Sequence, residues 1–559
     1  MMLRKFFITL SAVLLLAVPA VLAQPAWVKK TTKSVFTLKT FAPDGTLLGG
    51  STGFFVGEDG TALSSFTPFK GAQRAVVIDA TGKEYAVVCM LGANETYDVA
   101  KFRVDVKKSQ PLPLVASELS EGSGVWLLPY REVKQVPAGH IAKTEAFNGD
   151  YAYYTVEMNM PDNAASAPLL NEAGEVVGLM QKPSAPGRNQ SYAVSARFAN
   201  SVHISGLSLN DPALRSTYIK KALPAEFDQA QLMLYVAAQS ADSLSYAQMV
   251  DDFISQFPNR HEGYVYKAQL AASVKDYAAA DQEIAKALKV AAKPDEVHFS
   301  YSRMIYQKNV YDVQTPYAAW TLDKALTEVS EAERLNPQPG YQQHKAYVLF
   351  AQQKYGEAYE VYARLFESSL RSAEVFYEAS RCKEMLADTA SRLALLDSAV
   401  AMFSRPYLRE AAPYLIARAQ ASMQAGKNRQ AVNDLNDYEN LMKAQLNDNF
   451  YYLRHQAEVA GRLFQQALDD IDRAIEMNPD YDLYYAEKAS LQVRVGLYDD
   501  AINTSRRCIE LSPQYSDGYL FLGLAQCLKG EKTEGVKNLQ QARQLGDPQA
   551  DGLIKKYSK

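Results

Sequence analysis

Residues 464–513 read FQQALDDIDRAIEMNPDYDLYYAEKASLQVRVGLYDDAINTSRRCIELSP. At an offset of 34 residues Phe464 meets Tyr498, Ala467 meets Ala501, Pro479 meets Pro513, Tyr485 meets Tyr519 and Gly496 meets Gly530. Ala474, Cys508 and Ala542 carry the same period through three units. Apolar residues between these landmarks fall at helical spacing, and proline ends a helix because it cannot continue the hydrogen bonding. Each period therefore predicts two helices. Ala489 and Gly523 on the first helix, with Ala467 and Ala501 on the second, predict close helix approach, and an aromatic three residues before the second-helix alanine fills the corner. An unrelated helical bundle does not demand this fixed order.

The period and its residue types resemble the tetratricopeptide repeat. Less regular copies run back to Arg260, giving about seven or eight helix pairs. The resemblance implies a solenoid whose first helices line an inner groove. By the motif offsets the inward places are Ile416 and Gln420, Tyr452 and Gln456, Ala486 and Ser490, and Leu520 and Leu524. None is charged, so a clamp for a peptide carboxylate is not expected. The groove should favour apolar or amide-bearing segments of a protein or peptide partner. Ile416, Gln420, Tyr452, Gln456 and Ser490 are the candidate contacts, with Tyr452 the anchor. Leu520 and Leu524 could equally cover the end of the array.

Before the helices the pattern is β. Runs such as Ser34–Leu38, Gly53–Val56, Arg74–Ile78, Tyr85–Val88 and Tyr151–Val156 are rich in β-branched and aromatic residues. Turn signals separate them, among them Pro43-Asp44-Gly45, Glu58-Asp59-Gly60 and Thr81-Gly82. Short strands at regular spacing predict a barrel or sandwich. The character changes after Leu209-Asn210-Asp211-Pro212, and from about Phe227 the chain reads as helix.

At 559 residues the chain exceeds one core, and 48% hydrophobic content is ordinary for globular material. A formal net charge of −4, with basic residues scattered among acids, excludes a nucleic-acid footprint. Four cysteines, none in a Cys-x-x-Cys pair, supply neither a disulfide framework nor a metal site. Cys508 and Cys527 could pair in an oxidising compartment, but all four read better as buried small hydrophobes. No cofactor or metal is expected. Arg4 and Lys5, an apolar run from Phe6 to Val18, and Val21-Leu22-Ala23 read as a secretory signal cleaved after Ala23. The expected product is exported, periplasmic or secreted, without a membrane span.

Three β segments resemble the trypsin-like serine peptidases. Ser51 to Gly60 is similar to the first glycine-bounded hairpin of that family, Tyr97 to Phe102 to its Asp-bearing strand, and Ala165 to Gly178 to its nucleophile loop and following hairpin. Gln190 to Val194 fits the closing strand. The resemblance implies a double β-barrel and places the triad residue by residue. Thr67 stands where the catalytic His would be, Asp98 at the Asp, and Ala165 at the nucleophile in Asn163-Ala164-Ala165-Ser166-Ala167-Pro168. Threonine cannot take and return a proton near neutral pH. Ser166 and Ala167 replace two glycines whose backbone freedom shapes the oxyanion hole.

The expectation is a multidomain chain: signal peptide 1–23, trypsin-like β-barrel domain 27–205, linker 206–229, and an all-α tetratricopeptide-repeat solenoid over 230–559. Its function is that of an exported scaffold or adaptor, an inactive protease shape joined to a repeat groove. The alternative is a divergent serine endopeptidase using Ser166 with Lys101 or His140 as base, its repeats recruiting substrates. A weaker third reading is a holdase for exported chains.

Overall fold

A computed structural model describes residues 25–128, 130, 136–158, 160–161, 164–181 and 190–558. The expected signal peptide, 1–23, lies outside them.

The first six strands are β1 (Val35–Phe41), β2 (Leu47–Phe55), β3 (Thr61–Ser64), β4 (Arg74–Ile78), β5 (Glu84–Asn94) and β6 (Val99–Val104). They close into a barrel in the order β1-β2-β3-β6-β5-β4. β7 (Gly124–Leu127), β8 (Ala138–Phe147), β9 (Tyr151–Glu157), β10 (Pro168–Leu170), β11 (Val176–Met180) and β12 (Ser191–Ser195) form a second closed barrel in the order β10-β11-β12-β9-β8-β7. Counted from its own first strand, the second barrel repeats the order of the first. All strand pairings are antiparallel.

Alternation decides which side chains enter. Phe36, Leu38, Phe55, Phe66, Phe69 and Phe102 fill the first barrel, and the rings of Phe36 and Phe55 lie 4.9 Å apart. Val125, Leu127, Ile141, Tyr154, Val156 and Leu169 fill the second. The turn between β2 and β3 shows the local cause. Asp59 Oδ1 accepts the Thr61 amide at 3.1 Å, and Gly60 sits at φ +85°, where a Cβ would lie 2.3 Å from the Val104 carbonyl oxygen.

The chain divides into two compact units, Met1–Lys267 and Ala268–Lys559. This division comes after the change of composition near Phe227. In the first unit the stretch from Ile204 is packed against the first barrel: Ile204, Ala213, Leu214, Ile219 and Met233 belong to its core. The backbone follows suit, since Met90 donates its amide to Lys220 O and Ala222 donates to Met90 O. The helices Phe227–Ser240 and Ser243–Gln256 close this unit.

In the second unit, seven successive helix pairs pack, from Pro294–Tyr311 with Leu322–Leu335 to Ser516–Lys529 with Lys532–Gln544. The small residues occupy the contacts. Ala467, Ala474, Ala501, Cys508 and Ala542 are fully buried. A Cβ on Gly523 would lie 2.6 Å from the carbonyl oxygen of Gly535, so these two helices meet backbone to backbone. Cys89, Cys382, Cys508 and Cys527 are all buried and free.

Candidate functional site

β3 runs alongside β6, with Ser64 opposite Ala100, so the residues just after β3 face those just before β6. Phe66 is buried in the first barrel and anchors the short turn Thr67–Phe69. Asp98 takes a left-handed backbone, φ +51°, which turns its carboxylate toward that turn. Its Oδ1 accepts the amide of Thr67 at 2.6 Å and the hydroxyl of Thr67 at 2.8 Å. The Phe66 amide donates to the Asp98 carbonyl at 3.3 Å. Two of the three expected triad positions are thus in direct contact.

The third lies on the loop entering β10. Ala165 is half-buried, and its carbonyl accepts the Thr52 amide of the first barrel at 3.3 Å. Ser166 is 1% exposed and holds φ +65°, the conformation for which glycine is suited. Its Oγ accepts the Ser65 amide at 3.0 Å and is hydrogen-bonded to the Ser65 hydroxyl. The Ser166 amide donates to Met180 O at 2.8 Å. Asn163 lies outside the described residues.

A methyl group stands at 165, and the residue beside Asp98 carries a hydroxyl that is no proton acceptor near neutral pH. The two bases named for Ser166 are engaged elsewhere. Lys101 donates to Ala199 O at 3.1 Å, and burial pushes its pKa down. His140 Nε2 lies 3.2 Å from Glu157. Among the described residues neither is hydrogen-bonded to Ser166. Among the described residues no cluster of His, Cys, Asp and Glu has the makings of a metal site, and no helix is long and apolar enough to cross a membrane.

The residues expected to line a groove lie on first helices of successive pairs: Ile416 and Gln420 on Ala412–Gln424, Tyr452 and Gln456 on Asp448–Gly461, Ser490 on Asp482–Arg494. Gln420 and Gln456 are exposed; Ile416, Tyr452 and Ser490 are half-buried, and Ala486 and Leu520 are buried. The Tyr452 ring lies 5.2 Å from that of Tyr484 on the next first helix.

Beside these positions are charges that the sequence reading passed over. Arg418 grips Asp434 with two hydrogen bonds, 2.9 and 2.7 Å, and Arg454 grips Asp470 with two more, 2.6 and 2.9 Å. Both pairs join a first helix to its second, across the same separation in sequence. That recurring spacing was the available signal. Arg454 also bonds Glu439 at 2.6 Å and Asn436 at 2.8 Å. Burial and the neighbouring Asp470 push the Glu458 carboxyl up to about 8, against the pull of Arg454.

Comparison with known proteins matches residues 51–179 to the family described as trypsin-like peptidase domain. No curated protein matches the chain. Similar solved structures include the active form of the Rv3671c protease from M. tuberculosis, at 18% identity and a TM-score of 0.28, covering 32% of this chain and 86% of that one. An inactive-form serine-to-alanine mutant of the same protease aligns at 19% identity and a TM-score of 0.28, covering 33% and 91%. The chain therefore carries a trypsin-like peptidase domain of two six-strand barrels, followed by a helical C-terminal region.

Proposed function

We propose that this chain is an exported protein-binding scaffold, in which an inactive trypsin-like domain is joined to a tetratricopeptide-repeat groove. The observation that carries the reading is the pair Thr67 and Asp98. The carboxylate that would orient a catalytic imidazole is instead bonded to a threonine amide and hydroxyl, while alanine occupies position 165. Loss at two separate chemical roles, base and nucleophile, removes the acyl-transfer mechanism as a unit.

The rival reading, an endopeptidase attacking through Ser166, has less support. Its hydroxyl is buried against Ser65, and neither Lys101 nor His140 is bonded to it. For the binding role, the support is the 34-residue pattern, the paired helices that follow it, and the uncharged surface of Ile416, Gln420, Tyr452, Gln456 and Ser490. Export rests on the apolar N-terminal run with Arg4 and Lys5 ahead of it. The domain limits proposed are 1–23, 27–205, 206–229 and 230–559.

Labelling with a fluorophosphonate probe tests the inactive domain. No modification is expected, and stoichiometric labelling of Ser166 would show the chain to be a peptidase. Affinity capture from the chain's own envelope fraction tests the scaffold, which should retain specific proteins that are lost when the repeat region is removed.

A further inference from the structure

The first compact unit contains a cavity of about 870 Å³, set where the chain following Arg215 joins β5 and the helix Ser243–Gln256. Tyr218 donates its amide to Ala72 O, and Met90 donates to Lys220 O, so this segment is fixed against the first barrel. Val87, Val88 and Met249 give the cavity an apolar wall.

Its charges are lopsided. Arg215, Lys220 and Lys221 line it, with Asp252 the acid among the lining residues. Asp252 is taken by Lys220 at 2.5 Å. Lys221 is half-buried, and the acceptor for its ammonium is the Thr217 carbonyl. Among the described residues neither Lys221 nor Arg215 has a carboxylate partner. This occurs in a chain where acids outnumber bases, 63 to 59. A cation drawn partly out of water against one backbone carbonyl is costly, and long lysine side chains ordinarily reach for solvent. Burial pushes the Lys221 pKa down, a sign of the same cost.

We infer that this cavity binds a small organic anion, its carboxylate held by Arg215 and Lys221 and its apolar body against Val87, Val88 and Met249. A guanidinium presents a planar fork that matches a carboxylate, and an ammonium beside it adds charge without fixing direction. A cavity of this size suits a small ligand with an apolar body and a few placed polar contacts. The inference is independent of the residues at Thr67 and Asp98.

Titration calorimetry of the purified chain near neutral pH tests it with three probes: octanoate, octan-1-ol and acetate. Octanoate should bind at one site per chain, roughly tenfold or more tighter than either the tail or the head alone. Arg215→Gln and Lys221→Met should each weaken octanoate roughly tenfold and leave octan-1-ol unchanged. Arg215 is exposed and methionine is an apolar stand-in for the lysine stem, so both variants should keep the wild-type melting temperature. Octan-1-ol binding as tightly as octanoate would reduce the site to an apolar crevice and overturn the inference. So would octanoate affinity unchanged in both variants, or no octanoate binding at millimolar concentration.

Discussion

One oxygen of Asp98 accepts both the amide and the hydroxyl of Thr67, at 2.6 and 2.8 Å. The bond closes the turn after β3 onto the start of β6. Hydrogen bonds to a charged acceptor contribute about 1.5–3 kcal/mol, so Asp98→Ala should lower stability by an amount in that range and Thr67→Ala by about 1 kcal/mol. Urea unfolding of the two variants measures this. Thr67→His should gain no fluorophosphonate labelling, because residue 165 still offers no nucleophilic atom.

Ser166 combines a left-handed backbone with a buried hydroxyl that accepts the Ser65 amide. Ser166→Ala and Ser166→Gly both delete the hydroxyl, but glycine alone relieves the strain of a Cβ at positive φ. The glycine variant should therefore be about 1 kcal/mol more stable than the alanine variant. Equal midpoints in urea would show the loop to have relaxed out of this conformation.

Ala501 is fully buried between paired helices. Leucine there has no room, and Ala501→Leu should cost about 1–3 kcal/mol through displaced neighbours. A wild-type melting temperature for this variant would place the repeat register elsewhere.

Glu458 sits buried beside Asp470 and Arg454, and its Oε2 has no donor. Burial and Asp470 raise its pKa from the ordinary 4.5 to about 8. Between those values the folded state holds a proton that the unfolded chain has released. Stability should then fall as pH rises through this window and level off above it. The charges facing the group, Arg454, Asp470 and Asp469, are common to wild type and variant. Melting curves of Glu458→Gln across the window should show a shallower decline than wild type.

Tyr452 and Gln456, four residues apart, share one side of the helix Asp448–Gly461, the side proposed to face a groove, and Gln456 is exposed. Tyr452→Ala with Gln456→Ala should weaken a captured partner roughly tenfold or more, as loss of an aromatic anchor does. The comparison is made by calorimetry on folded proteins of similar melting temperature. Unchanged affinity would move the interface off this groove.

Periodic features were legible along the chain because their causes are local. Strand alternation, the Asp59-Gly60 turn and the 34-residue spacing each follow from neighbours within a few residues or from exact repetition. The buried Ala467, Ala501 and Cys508 follow from that spacing, and the barrel strands from the apolar runs. That threonine stands at 67 and alanine at 165 was also a matter of sequence, since it is residue identity alone.

Other properties required the fold. The grip of Asp98 on Thr67 spans 31 residues, and that of Ser65 on Ser166 spans 101. The first depends on β3 pairing with β6 and the second on the loops of the two barrels meeting, which no local pattern states. Residues 206–229 read as a linker, yet Leu214 and Ile219 enter the barrel core. The sequence by itself determined the two architectures and the residue types at each key position. Only the tertiary structure decided which of those residues meet, because hydrogen bonds and buried charges depend on distances through space that chain closure sets.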